Sequence, residues 1–217
     1  MDLYGPHDPM CPIKPLPPPL MRIGGYVPCS LSDFPGRIAA VVFTQGCNWR
    51  CPWCHNTALV YPEQFTTPIP EADILQKLAA RRGKLDGVVI SGGEPTLHPD
   101  LPDFIRRVRA LGFLIKLDTN GSRPAVVRAL IAEGLLDFVA TDIKAPWPRY
   151  AEAAGLPSPA FDTAALQETL ALLRESGIEH QLRTTRWPGL TEADAPDIET
   201  IAAGSPHVWQ EYRPVDP

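Results

Sequence analysis

Short apolar runs alternate with amphipathic helical patterns from residue 38 to near the C-terminus, and that alternation restricts the chain to very few architectures. The runs predict strands over 38–44, 87–90, 113–117, 138–141, 178–184 and 208–212. Helical patterns fill the intervals at about 71–82, 101–111, 124–134, 162–176 and 191–203. The clearest has Leu101, Phe104, Ile105, Val108 and Leu111 at spacings of three and four, which places all five on one face. Strands separated by helices need crossover connections, so the expected fold is α/β: a mainly parallel sheet with helices covering it, either open or curled toward a barrel. In both forms the loops that follow the C-terminal ends of the strands gather on one rim, where ligands bind.

The bulk properties narrow the setting. A chain of 217 residues with 44% hydrophobic content can bury a core of its own, and its length favours one domain. With a formal charge of −5 and Lys and Arg spread along the chain, no basic patch points to a nucleic acid or an anionic membrane. No apolar run approaches the roughly 20 residues needed to cross a bilayer, and no charged segment followed by an apolar one opens the chain, so a cytoplasmic location is expected. Pro6, Pro9, Pro12, Pro15, Pro17, Pro18 and Pro19 remove backbone donors and fix φ, which predicts an extended arm over 1–22 ahead of a domain over 23–217. The stretch Gly25-Tyr26-Val27-Pro28-Cys29 reads as the end of that leader, with Cys29 in a loop; neither Cys29 nor Cys11 is assigned a function.

Chemistry is concentrated in the loops after the strands. Gly46-Cys47-Asn48-Trp49-Arg50-Cys51-Pro52-Trp53-Cys54-His55-Asn56 places three thiols at CxxxCxxC spacing, too close together to pair with one another without strain. Structural zinc and ordinary electron-transfer clusters take four protein ligands, so a trio leaves one metal position open; a zinc site completed by His55 is the alternative. Ser91-Gly92-Gly93-Glu94-Pro95 follows the second predicted strand, Asp118-Thr119-Asn120-Gly121 the third and Asp142-Ile143-Lys144 the fourth. Taken singly, each is an ordinary turn or helix cap.

Taken together, these segments have a family likeness. The CxxxCxxC loop with an aromatic residue before its last cysteine resembles the signature of the radical S-adenosylmethionine (radical SAM) superfamily, and the Gly92-Gly93-Glu94 tripeptide resembles that family's GGE motif. The resemblance implies an incomplete (β/α)6 parallel barrel in which Cys47, Cys51 and Cys54 hold a 4Fe-4S cluster. The open iron would chelate the amino and carboxylate groups of S-adenosyl-L-methionine, with Trp53 near its adenine and Gly92, Gly93 and Glu94 at its ammonium. Reductive cleavage would yield a 5'-deoxyadenosyl radical that abstracts hydrogen from a substrate.

Asp118-Thr119-Asn120-Gly121, Asp142-x-Lys144, the Cys54-His55-Asn56 continuation and Ser30-Leu31-Ser32-Asp33-Phe34-Pro35-Gly36 resemble segments of the glycyl-radical-enzyme activating branch, above all the compact anaerobic ribonucleoside-triphosphate reductase activating proteins. On that likeness Lys144 contacts the cofactor's ribose or carboxylate, and Asp118, Thr119, Asn120 and Asp142 lie around the cofactor or a monovalent cation. Arg183 either contacts the cofactor or bridges to Glu211 or Asp142. The implied partners are a glycyl radical enzyme as protein substrate and a flavodoxin or ferredoxin as electron donor. A radical SAM enzyme acting on a small molecule, similar to 7-carboxy-7-deazaguanine synthase, is the alternative.

Overall fold

The computed structural model describes residues 21–156 and 161–214. The arm over 1–20, with Cys11, lies outside the described residues. Seven strands form one sheet in sequential order: β1 (Ile23–Ser30), β2 (Ala39–Thr44), β3 (Gly87–Gly92), β4 (Leu114–Thr119), β5 (Phe138–Asp142), β6 (Glu179–Arg186) and β7 (His207–Glu211). β2 to β7 run parallel, and β1 pairs antiparallel with β2. Seven helices connect or flank them: α1 (Thr57–Val60), α2 (Glu71–Ala79), α3 (Leu101–Ala110), α4 (Pro124–Ala132), α5 (Tyr150–Ala154), α6 (Ala164–Glu175) and α7 (Ala195–Ala202). β1 and β7 do not pair, so the six parallel strands make an incomplete barrel, as expected.

β1 corrects the sequence reading. Gly25 to Cys29 belongs to a strand, not a leader, because Tyr26 and Val27 pair with Val42 and Val41 of β2. Two glycines, a proline and register shifts interrupt the apolar alternation that would have marked it. Helical bounds also tighten: the predicted 191–203 helix is a 3-10 turn over Glu192–Asp194 followed by α7.

Alternation along the strands separates two cores. Ala40, Val42, Val88, Ile90, Ile115, Leu117, Val139 and Leu182 face the helices, where they meet Leu101, Phe104, Ile105 and Val108 of α3 among others. Those four α3 side chains are fully buried, a gross hydrophobic stabilisation on the order of 10 kcal/mol. The other face carries Ala39, Val41, Val89, Phe138 and Ala140, and Phe34 from the β1–β2 loop inserts among them. Phe34 packs on the Phe138 ring at 5.9 Å, and a Cβ at Gly87 would lie 2.8 Å from the Phe34 ring. The lower lumen is therefore plugged with apolar side chains, and only its upper end is polar.

Lys77, Arg81 and Lys84 gather beside Tyr26 at the edge of the sheet, a local concentration of charge that the even spread of basic residues along the chain does not foretell. No helix of the described residues is long and apolar enough to cross a membrane.

Candidate active site

A cavity of about 390 Å³ opens at the C-terminal ends of the parallel strands. Cys47, Cys51, Cys54, Trp53, Gly92, Gly93, Asp118, Thr119, Asn120, Asp142, Lys144 and Arg183 all line it. Five segments, strand ends and the loops after them, separated by up to 136 positions in sequence thus converge on one space, as a rim site requires.

The cysteine loop is held by the protein itself. Arg50 Nη1 donates to the carbonyls of Cys47 (2.7 Å) and Trp49 (2.8 Å), and its backbone N–H donates to Ala154 of α5 (2.8 Å). Trp49 is buried edge-on against Tyr150 and Phe161. Backbone N–H groups of Trp49 and Asn56 donate to the Cys47 and Cys54 sulfurs, both at 3.4 Å. Burial pushes the Cys47 thiol up to about 11 and raises Cys51 also, with Lys144 pulling both down. Metal ligation displaces such protons.

Among the described residues no three His, Cys, Asp or Glu side chains converge on a point that one ion could occupy. Three thiols spread around a shared cavity suit the separate irons of a cubane better than a single zinc, and His55, which lines the same cavity, has its Nε2 bonded to the Arg213 carbonyl.

The β3 loop is fastened to the cysteine loop by its glycines. A Cβ at Gly93 would lie 2.0 Å from the Gly46 carbonyl oxygen, and Gly92 has φ of 111° with Thr44 backbone 2.4 Å from where a Cβ would sit. Only glycine allows that approach. Glu94 is fully buried, does not line the cavity, and its carboxylate is bonded to donors of the protein. It accepts from Thr96 N–H (3.0 Å), Thr96 Oγ1 (2.5 Å), Thr119 Oγ1 (2.8 Å) and Asn120 N–H (2.6 Å). Burial pushes its carboxyl up against the pull of those four bonds. Glu94 locks the β3 loop to the β4 loop, and Asn120 carries the lock onward by donating from Nδ2 to Asn48 Oδ1 at 2.9 Å, beside Cys47.

Charges alternate across the inner face. Asp118 takes Arg183 Nη1 at 3.4 Å, Arg183 Nε donates to Asp142 Oδ1 at 3.0 Å, and Lys144 Nζ donates to Asp142 Oδ2 at 3.1 Å. Burial works against the Asp142 carboxylate, but Lys144 and Arg183 outweigh it and hold that carboxyl well below the usual range. Burial likewise opposes Lys144 and Arg183, and their carboxylates hold both firmly protonated. The Arg183 bridge goes to Asp142 and Asp118; Glu211 pairs with Arg186 instead. Lys144 Nζ also sits 4.7 Å from the Trp53 ring centroid.

Other participants were not evident from sequence. Trp187 stacks on Trp53 at 6.0 Å and 11°, and its Nε1 donates to the Lys144 carbonyl at 2.9 Å. The signal was its place just past β6, on the same rim as the other site loops. Asn56, Ser91, Thr185 and Gln210 also line it, the last two from inward positions of β6 and β7 that strand alternation would have indicated.

A family model described as the radical SAM superfamily matches residues 41–201. The chain belongs to the radical SAM superfamily. The enzymes of this family pair a 4Fe-4S cluster with S-adenosylmethionine, and three thiols around a cavity lined by cationic and aromatic groups fit both.

Among its relatives is a Methanocaldococcus jannaschii protein named "Putative glycyl-radical enzyme activating enzyme", 32% identical over 199 residues, covering 89% of this radical SAM chain and 81% of the relative. A 7-carboxy-7-deazaguanine synthase of Hyperthermus butylicus is 35% identical over 97 residues, but the match covers 44% of this chain and 40% of the synthase. Among solved structures, Streptococcus suis SuiB bound to its precursor peptide SuiA superposes with a TM-score of 0.63 at 14% identity, over 80% of this chain and 39% of SuiB. At that identity the likeness concerns the fold.

Proposed function

We propose that this radical SAM enzyme generates a glycyl radical on a partner protein, such as an anaerobic ribonucleotide reductase. The observation that carries the reading is the archaeal relative named for glycyl-radical enzyme activation, whose match runs over 89% of this chain and 81% of its own. Cys47, Cys51 and Cys54 would hold the 4Fe-4S cluster, which when bound supplies the electron for reductive cleavage of S-adenosylmethionine, drawn in turn from a flavodoxin or ferredoxin.

The chain's own residues orient the cofactor. Arg183 and Lys144 offer cationic donors to its carboxylate and hydroxyls, Trp53 backed by Trp187 offers an aromatic wall, and Gly92 and Gly93 let backbone come close. The Phe34 plug shuts the lumen from below, so a substrate enters from the rim or from the open flank between β1 and β7, where Phe43, Gln210 and Asp33 line the cavity. An extended glycine-containing loop of a protein can reach through such an opening, and its docking would exclude water from the site.

The test is anaerobic. Reconstituted protein, S-adenosylmethionine, a reductant and a candidate glycyl radical enzyme are expected to give a carbon-centred radical on that enzyme, in step with 5'-deoxyadenosine release. The Hyperthermus butylicus synthase supports a second reading, action on a small molecule. Cofactor cleavage stimulated by a small metabolite and indifferent to every glycyl radical enzyme would favour it.

A further inference from the structure

Among the described residues, Lys116 is the one cation of the inner face that the cofactor reading leaves without a task. It sits on β4 between Val89 of β3 and Phe138 of β5, two residues before Asp118 and so on the same face of the sheet. Its side chain is 2% exposed and does not line the cavity. Its ammonium pairs with Asp118 Oδ1, and the Phe138 ring lies 6.0 Å away. It therefore stands at the boundary between the apolar plug and the polar rim.

A buried ammonium with a single carboxylate partner is a poor way to stabilise a core, because desolvation offsets most of the attraction and an apolar side chain of equal volume serves as well. Its position gives it another consequence. Lys116, Asp118, Arg183, Asp142 and Lys144 form an unbroken chain of alternating charge, in which Asp118 offers one oxygen to Lys116 and the other to Arg183. Arg183 has spent Nε on Asp142 and Nη1 on Asp118, and among the described residues its Nη2 makes no bond. A carboxylate without a competing partner takes a guanidinium by both of its forks. Without Lys116, Asp118 can turn both oxygens to Arg183 and occupy the donors that now face the cavity.

We propose that Lys116 is a positioning residue for cofactor binding: by holding one oxygen of Asp118 it keeps the Arg183 guanidinium open to a ligand in the cavity. The proposal rests on the reading of this cavity as the S-adenosylmethionine site.

The test measures S-adenosylmethionine affinity by equilibrium dialysis on cluster-loaded protein, with iron content and melting temperature recorded on the same samples. Lys116→Met is expected to raise the dissociation constant at least tenfold at unchanged iron content, and Lys116→Arg, which keeps the charge, to stay within threefold. In an Asp118→Asn background, where nothing remains to be tethered, Lys116→Met should add less than twofold. Wild-type affinity in Lys116→Met, or an equal loss in the Asp118→Asn background, overturns the proposal even if the melting temperature falls, since lost stability alone is what a merely structural lysine would show. Lys116→Leu, neutral and without a donor, is measured beside it with the same expectation and serves if Met is not accepted. A wild-type protein that loads iron yet binds no S-adenosylmethionine would overturn the cofactor reading and this one together.

Discussion

Replacing Glu94 tests whether the acid of the Gly-Gly-Glu turn serves the fold or the cofactor. In Glu94→Ala, four donors lose an acceptor whose own side chain is fully buried. The Thr96 and Thr119 hydroxyls can turn toward other acceptors, but the backbone N–H groups of Thr96 and Asn120 cannot. Each buried donor left unmade costs about 1–3 kcal/mol, so the two together predict a loss of about 2–6 kcal/mol, a large part of the 5–15 kcal/mol that typically holds a domain. Glu94→Gln is the sharper case. Its amide oxygen can keep the three donors now on Oε1, but its NH2 then faces the Asn120 N–H, donor against donor, at a cost of about 1–3 kcal/mol. At 2–4 °C per kcal/mol for a chain of this size, the melting temperature should fall by roughly 2–12 °C.

Urea and thermal unfolding of cluster-free protein read this directly, because neither cofactor is present to contribute. The Asn120–Asn48 bond beside Cys47 should loosen in the same variant, seen as slower or incomplete cluster reconstitution. A Glu94→Gln protein as stable as wild type that nevertheless binds S-adenosylmethionine poorly would refute the reasoning and return the carboxylate to the ligand.

Cys51→Ala should abolish both the cluster and cofactor cleavage, scored as iron and sulfide per chain and as 5'-deoxyadenosine; retention of either contradicts the ligand assignment. Trp187→Ala removes the ring that backs Trp53, and since such stacks are worth about 0.5–1.5 kcal/mol, cofactor affinity should fall roughly 2- to 13-fold with iron content unchanged. Asp142 has a folded-state carboxyl held below its ordinary value, so its contribution is fully present above about pH 5 and is lost as pH falls through and below the unfolded value of about 3.9. Unfolding free energy measured from pH 6 to 3 should therefore decline less steeply in Asp142→Asn than in wild type; equal slopes would mean that the Lys144 and Arg183 pairs contribute nothing.

The parts of the fold that bury a continuous stripe were legible in the sequence. The α3 pattern of Leu101, Phe104, Ile105 and Val108 is buried as its spacing required, and β3 to β6 fall within a few residues of their apolar runs. β1 was hidden because Gly24, Gly25 and Pro28 break alternation and Cys29 is exposed; its existence depends on pairing with β2, a partner that no local pattern reveals. Within the site, the loop segments were readable only together: each is an ordinary turn alone, but they follow successive parallel strands of one sheet. The direction of a side chain was not readable. Gly92, Gly93 and Glu94 adjoin one another, yet the glycines line the cavity and the acid points into the protein. Lys116 and Trp187 escaped for a related reason: a lysine in a strand and a tryptophan in a loop acquire meaning only from Asp118 and Trp53, which lie beside them in space.

The fastening of the cysteine loop bears on how the enzyme is loaded. In small metal-dependent domains the ligands have no fixed arrangement without the metal, and binding free energy is folding free energy. Here Arg50 ties two loop carbonyls, Gly93 packs on Gly46, Trp49 is sunk among aromatic rings, and Asn48 is bonded to Asn120. Those contacts involve no cysteine side chain, so they should persist whether or not a cluster is bound. On the proposed ligand assignment, thiols already facing one cavity would need only to release protons and accept iron, and loss of the cluster should leave the barrel folded. Circular dichroism of cluster-free and reconstituted protein should then show the same helical content and a single cooperative melt in both. A cluster-free chain that melts without cooperativity would mean that the iron, and not the Arg50 and Glu94 bonds, organises the rim.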